Sequence, residues 1–152
     1  MSLPPFQELL DRHRTDVYRF CVAAAGAQDA DDCFQETFMA ALRAYPRLRD
    51  GENLRGWLLT IARRKAIDEH RSRARRAVPA EGIDTTAAAD ETGDPRLWEA
   101  VRGLPPKQRA AVVYRFVSDL RYAEIGRLLD CSEAAARQNV RAGIARLREV
   151  WT

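Results

Sequence analysis

Arg137, Gln138 and Arg141 stand in a segment, Glu133 to about Arg148, whose Val140, Ile144 and Leu147 repeat at helical spacing. That spacing leaves the three polar side chains on a face of their own. An arginine fork can grip a guanine edge or a phosphate, and a glutamine can pair with adenine. A second basic set, Arg63, Arg64, Lys65 and Arg71, belongs to a run from Arg63 to Arg76 with seven basic residues, opposed only by Asp68 and Glu69. A third set, Asp31, Asp32, Gln35 and Glu36, is acidic and amide-bearing. All three sets suit binding, and the chain carries no recognisable arrangement for breaking bonds. None of its many carboxylates is paired with His13, His70 or a cysteine at a catalytic spacing, and there is no glycine-rich phosphate loop. Cys21, Cys33 and Cys131 form no CxxC pair, and HExxH is absent, so the thiols are expected to be inert and no metal or other cofactor is expected.

The elements that must hold these groups are helical. After Pro4 and Pro5, the residues Phe6, Leu9, Leu10, His13, Val17, Phe20 and Cys21 recur every three or four positions. Asp29 is placed to N-cap a second helix, whose stripe is Ala30, Phe34, Thr37, Phe38, Ala41, Leu42 and Tyr45. Asp31, Gln35, Glu36, Met39 and Arg43 then fall largely elsewhere, and Pro46 stops the helix. A loop from Tyr45 to Gly56 leads to a third helix with Trp57, Leu58, Ile61 and Ala62 on one side. That placement predicts Trp57 to be a packing residue. Further on, Leu97, Val101 and Leu104 mark a helix that ends before Pro105 and Pro106. Lys107 to Val117 makes another, with Ala110, Val113, Tyr114 and Val117 on one face. Tyr122 to Leu129 and Glu133 to about Arg148, separated by Asp130, Cys131 and Ser132, form a helix-turn-helix candidate whose second helix would enter a major groove.

The net charge of +3 is unevenly spread: residues 1–76 sum to +3, residues 77–95 to −5 and residues 96–152 to +5. The middle stretch, AVPAEGIDTTAAADETGDP, has no basic residue and no apolar periodicity, and reads as a linker. Fully extended, it would span roughly 60 Å. The expected fold is therefore all-α, with two small helical domains, 1–76 and 96–152, joined by a flexible acidic linker, and a helix-turn-helix in the second. Two basic modules on one strap suit a polyanion gripped at two places. No stretch approaches the roughly 20 apolar residues of a membrane span, and residues 1–6 lack the character of a signal peptide, so a cytoplasmic protein with no membrane insertion is expected. The residues alone leave two other readings open, a free-standing DNA-binding regulator and a small enzyme.

In sequence order, Asp29-Ala-Asp-Asp-Cys-Phe-Gln-Glu-Thr-Phe38 and Trp57-Leu-Leu-Thr-Ile-Ala-Arg-Arg-Lys-Ala-Ile-Asp68 resemble the second conserved region of sigma-70 family sigma factors. Leu104-Pro-Pro-Lys-Gln-Arg109, then Asp119-Leu-Arg-Tyr-Ala-Glu-Ile125 and the turn-helix, resemble the fourth. With the third region absent, the pattern is that of the extracytoplasmic-function (ECF) group. The resemblance implies a non-enzymatic adaptor whose partners are core RNA polymerase, through its beta-prime clamp helices and beta flap, and promoter DNA. An anti-sigma factor or another regulator is a further candidate partner. It also implies that Asp31, Asp32, Gln35 and Glu36 dock on polymerase. Arg47, Arg49, Glu52 and Asn53, in a specificity loop from Tyr45 to Leu54, would meet the minus-ten element together with Arg63, Arg64, Lys65 and Arg71. Arg137, Gln138, Asn139 and Arg141 would read the minus-thirty-five element.

Several positions depart from the family pattern. Arg64 replaces a usual asparagine, which implies an atypical minus-ten sequence. Asp130 replaces the turn glycine and must accept a left-handed backbone, while Arg121 replaces a capping serine and leaves Glu124 as the remaining half of that cap. Ala135, Ala136 and Ala142 shorten the recognition helix's reach, and Gly143 in its interior costs about 1 kcal/mol relative to alanine.

Overall fold

The structure, a computed structural model, describes residues 3–49, 53–76 and 94–151, with the helix backbone alone at 69–76, 95 and 151. The expected linker thus lies outside the described residues except at its last two positions. Among the described residues seven α-helices follow one another: α1 (Phe6–Ala25), α2 (Ala30–Ala44), α3 (Leu54–Arg76), α4 (Pro95–Arg102), α5 (Pro106–Phe116), α6 (Tyr122–Leu129) and α7 (Glu133–Trp151). A 3-10 turn, Tyr45–Arg47, extends α2, and no strand occurs among the described residues. Nor is any described helix long and apolar enough to cross a membrane.

Local chemistry sets the helix ends. Extended Pro5 precedes α1, and Gly26, at φ 94°, closes it with an N–H bonded to the Val22 carbonyl at 3.0 Å. Asp29 takes the N-cap place of α2 but makes no side-chain capping bond there. Its backbone is already helical, φ −99° and ψ −1°, rather than in the extended form that capping residues typically take. The third helix starts at Leu54, sooner than its apolar pattern suggests, because the Asn53 side-chain carbonyl accepts the Gly56 N–H at 3.2 Å. Asn53 adopts a left-handed φ of 55° to do so.

Helices α1, α2 and α3 pack together around Leu9, Val17, Phe20, Phe38, Leu58 and Ala62. An aromatic chain runs along this core: Phe6 lies 5.4 Å from Tyr45, and Tyr45 lies 6.2 Å from a half-buried Trp57 that packs against the core, as expected. Leu42 does not join its predicted stripe and is 55 % exposed. Ala41 occupies the buried place, and one residue on the helix turns by about 100° toward solvent. Cys21 and Cys33 are buried, with Cys131 half-buried. A hydrogen bond with Cys33, together with burial, pushes the Cys21 thiol up, so it stays protonated and unreactive.

Helices α4 to α7 form a second group, with α7 laid across α5 and α6. Gly143 has a packing role here. A Cβ at that position would come within 2.6 Å of Val112 Cγ2, so the missing side chain lets α7 approach α5 closely. The turn between α6 and α7 is equally tight. Asp130 is left-handed (φ 56°, ψ 49°), the Cys131 N–H reaches the Gly126 carbonyl at 2.8 Å, and Ser132 Oγ accepts the Ala135 N–H at 3.0 Å. A Cβ on Gly126 would stand 2.7 Å from the Cys131 carbonyl oxygen. Since that neighbour is backbone, nothing can rotate aside. Gly126→Ala should lower unfolding stability by about 1–3 kcal/mol, read as a fall in denaturation midpoint at unchanged denaturant slope.

Candidate nucleic-acid interface

The α6–turn–α7 unit is held from within by buried Ile125, Leu129, Ala136 and Val140. At about 100° per residue, Arg137, Gln138 and Arg141 share one continuous outer face of α7, while Asn139 falls on the opposite flank and is half-buried. The structure thus brings three of the four predicted residues together and sets the fourth apart. Gln138 and Arg141 are exposed. Arg137 is half-buried, donates to Glu133 Oε1 at 3.4 Å and lies over the Tyr122 ring. At the start of α6, the Arg121 side chain has no acceptor to offer as a cap. Its backbone N–H bonds Glu124 Oε1 at 3.4 Å, so half of a capping box survives.

In the first group, Arg47 and Arg49 are exposed beside the 3-10 turn, whereas Glu52 and the Arg71 side chain lie outside the described residues. Asn53 is exposed, with its side-chain carbonyl committed to the start of α3. The neighbours Arg63 and Arg64 diverge along α3. Arg64 is exposed, one turn beyond Ile61 on the Trp57 side, and Lys65 is half-buried. Arg63 turns toward the second group, where it lines a crevice with Phe20, Arg109 and Ala110, and its Nε is buried without a hydrogen-bond partner.

That crevice belongs to a seam that sequence reasoning missed. Tyr114 of α5 is fully buried; its hydroxyl donates to the Leu59 carbonyl of α3 at 3.1 Å, and its ring stacks on Phe20 of α1 at 5.1 Å. Burial raises the Tyr114 pKa, and the nearby Arg63 opposes that rise. Arg55 of α3 holds Asp16 at 2.9 Å and donates to the Ser118 carbonyl beyond α5. The one available signal is the apolar run Phe20-Cys-Val-Ala-Ala-Ala25, since a helix end that is apolar on every side must be covered on every side. Beside the seam lies a groove of about 920 Å³, bordered by Arg14, Tyr18, Arg19, Phe34, Trp98 and Phe116.

At the rim of this groove, which Asp31 joins, α2 exposes Asp31, Asp32, Gln35 and Glu36, and the 51 % exposed Met39 continues the face.

Two family models match in order: Sigma-70 region 2 over residues 9–76 and Sigma-70, region 4 over residues 95–147. The RNA polymerase sigma factor CarQ of Myxococcus xanthus is 33 % identical, with 95 % of this chain covering 88 % of CarQ. The chain is an ECF sigma factor of the sigma-70 family. As such it joins RNA polymerase and directs promoter-specific transcription initiation. The ECF RNA polymerase sigma factor SigD of Mycobacterium tuberculosis is 31 % identical, with 94 % of this sigma factor covering 75 % of SigD. SigE of Mycolicibacterium smegmatis is 34 % identical; 97 % of this sigma factor aligns, spanning 62 % of SigE's length. Among solved structures, the sigma factor RpoE in complex with the anti-sigma factor NepR from Bartonella quintana superposes with a TM-score of 0.78 at 23 % identity, covering 96 % of each chain. CnrH in complex with the cytosolic domain of CnrY gives 0.75 at 23 % identity, over 96 % of this chain and 86 % of CnrH. Both show the shared helical fold.

Tyr114→Phe keeps the seam's ring and removes its hydroxyl, and should cost about 1 kcal/mol. Tyr114→Ala should cost about 3–5 kcal/mol. Equilibrium denaturation of the two variants separates the contribution of the hydrogen bond from that of the packed ring.

Proposed function

We propose that this sigma factor divides its work between its two helical groups, residues 1–76 and 96–152, and catalyses no reaction itself. The first docks on core polymerase and opens the minus-ten element; the second anchors the minus-thirty-five duplex. What carries this reading is the occurrence of both family regions, in order, on one chain whose polar faces point away from a common core.

Docking uses the α2 face. Asp31, Asp32, Gln35 and Glu36 supply carboxylates and an amide for a polar helical surface, the polymerase beta-prime clamp helices, and Met39 adds apolar area beside them. Minus-ten contacts fall to Arg47, Arg49, Arg64 and Lys65, with the Asn53 amide at the start of α3. Their cations fix the strand, and the specificity loop holds a flipped base. Arg63 contributes only once α5 moves off α3, because its guanidinium lies in the seam. At minus-thirty-five, Gln138 and Arg141 face the groove with Arg137, and Asn139 stands at the edge of the helix. The second group would also meet the beta flap of polymerase, and the segment 77–95 would connect the two.

A protein with these partners acts in the cytoplasm. An anti-sigma factor is a further expected partner: two proteins of the same fold were captured with one or with a cytosolic partner domain.

Transcription by bacterial core polymerase from a promoter library, with and without the chain, tests the whole reading. New start sites sharing two spaced motifs are expected, and their absence, with no binding to core polymerase, would overturn it. Charge reversal of Asp31, Asp32 and Glu36 to lysine should weaken binding to core polymerase at least about tenfold, roughly 1.4 kcal/mol, while leaving thermal unfolding unchanged. Gln138→Ala should relax base preference at a single minus-thirty-five position, by about 1–3 kcal/mol of discrimination.

A further inference from the structure

We infer that Tyr122 is a positioning residue for promoter reading: its ring, shared by Arg115 and Arg137, holds the Arg137 guanidinium in the orientation in which it meets the minus-thirty-five element. The inference rests on the reading that Arg137 faces promoter DNA.

Tyr122 is the first residue of α6, and its ring is half-buried at the junction of three elements. The Arg115 guanidinium carbon, from the end of α5, lies 4.7 Å from the ring centroid, and that of Arg137, from α7, lies 4.9 Å from it. Both distances are well inside the roughly 6 Å range of cation–π attraction. Each arginine is also tethered at its other side. Arg115 Nη1 donates to the Leu120 carbonyl at 3.1 Å, and Arg137 Nη2 donates to Glu133 Oε1 at 3.4 Å.

These restraints act differently. The Glu133–Arg137 pair is long and open, with side-chain exposures of 57 % and 43 %, so water and salt weaken it. It leaves the guanidinium free to swing about one carboxylate oxygen. An aromatic face limits the plane in which the guanidinium lies, which a single hydrogen bond does not. Arg115 matters because it pins the ring from the α5 side through a backbone carbonyl, at a place where the chain turns between helices. The ring then couples the stem of the domain to its reading helix.

Orientation is what Arg137 needs for reading a base. Five guanidinium donors are available in principle, and the Glu133 contact uses one, so a forked contact to a guanine edge remains possible. A flexible arginine loses several rotatable bonds on forming such a contact, and holding it beforehand reduces that loss. Gln138 and Arg141, exposed and with no such ring contact among those described, supply adaptable contacts beside it. Ala134 and Ala135 leave few other side chains outside the core in the first turn of α7, since Ala136 is buried, which increases the share of discrimination that falls on Arg137.

The test uses full-length chain with core polymerase on a promoter taken from the library, and on versions with each minus-thirty-five base replaced. Tyr122→Phe keeps the aromatic face and should behave as the unaltered protein. Tyr122→Leu keeps apolar bulk without the face. It should weaken binding to the preferred promoter about 3- to 10-fold and flatten discrimination at the base position where Arg137→Ala flattens it. In the Arg137→Ala background, Tyr122→Leu should add nothing. Uniform loss at every position, undiminished loss in the double variant, or unchanged base preference in Tyr122→Leu would each overturn the inference. Unchanged promoter binding by Arg137→Ala would instead remove the reading on which it rests. Because Tyr122→Leu could perturb folding, Tyr122→Met serves as a second non-aromatic variant. Side-chain nitrogen NMR of the free protein gives an independent readout: Arg137 guanidinium rotation should be slower than that of Arg141 and should speed up in either non-aromatic variant. Equal rotation rates in the unaltered protein would also overturn it.

Discussion

Tyr114 is the side chain on which the arrangement of this sigma factor turns. Its ring has no water on any side, stacking on Phe20 of one helical group while belonging to the other. A phenol buried this completely must find an acceptor for its hydroxyl, and the Leu59 carbonyl of α3 provides one. The two groups therefore meet with defined register. Arg55 reinforces the register from the edge by holding Asp16 in its own group and the Ser118 carbonyl in the other.

The seam also decides which cations face solvent. Arg63 and Arg64 are neighbours in a basic run, yet helical geometry sends one into the contact and the other outward. An unpaired Nε on Arg63 is a polar atom kept from water, a cost that falls if the contact opens. The structure thus describes an arrangement in which part of the basic surface is withheld while α2 and the outer face of α7 stay exposed.

Within the helix-turn-helix, positions that look like losses in the sequence become packing requirements. Gly143 is a poor helix former, but Val112 occupies the space a Cβ would take. Gly126 serves the same end against the backbone of the turn. Asp130 accepts the left-handed conformation that closes α6. These tight approaches place α7 so that its polar residues clear the core and Arg137 reaches Tyr122.

The sequence by itself determined the helices, their order, the turn and most of the polar faces, because each is written in nearest-neighbour periodicity, prolines and caps. It also carried the two conserved regions that identify the family. Spacing along one helix could not say which helix covers it. The pairing of Tyr114 with Leu59 spans 55 positions, and that of Arg55 with Ser118 spans 63. Only the tertiary structure therefore decided that α5 lies on α1 and α3, that Arg63 is turned inward and that Leu42 is exposed. Such contacts depend on where two surfaces meet in space, and no local pattern of residue types encodes that meeting.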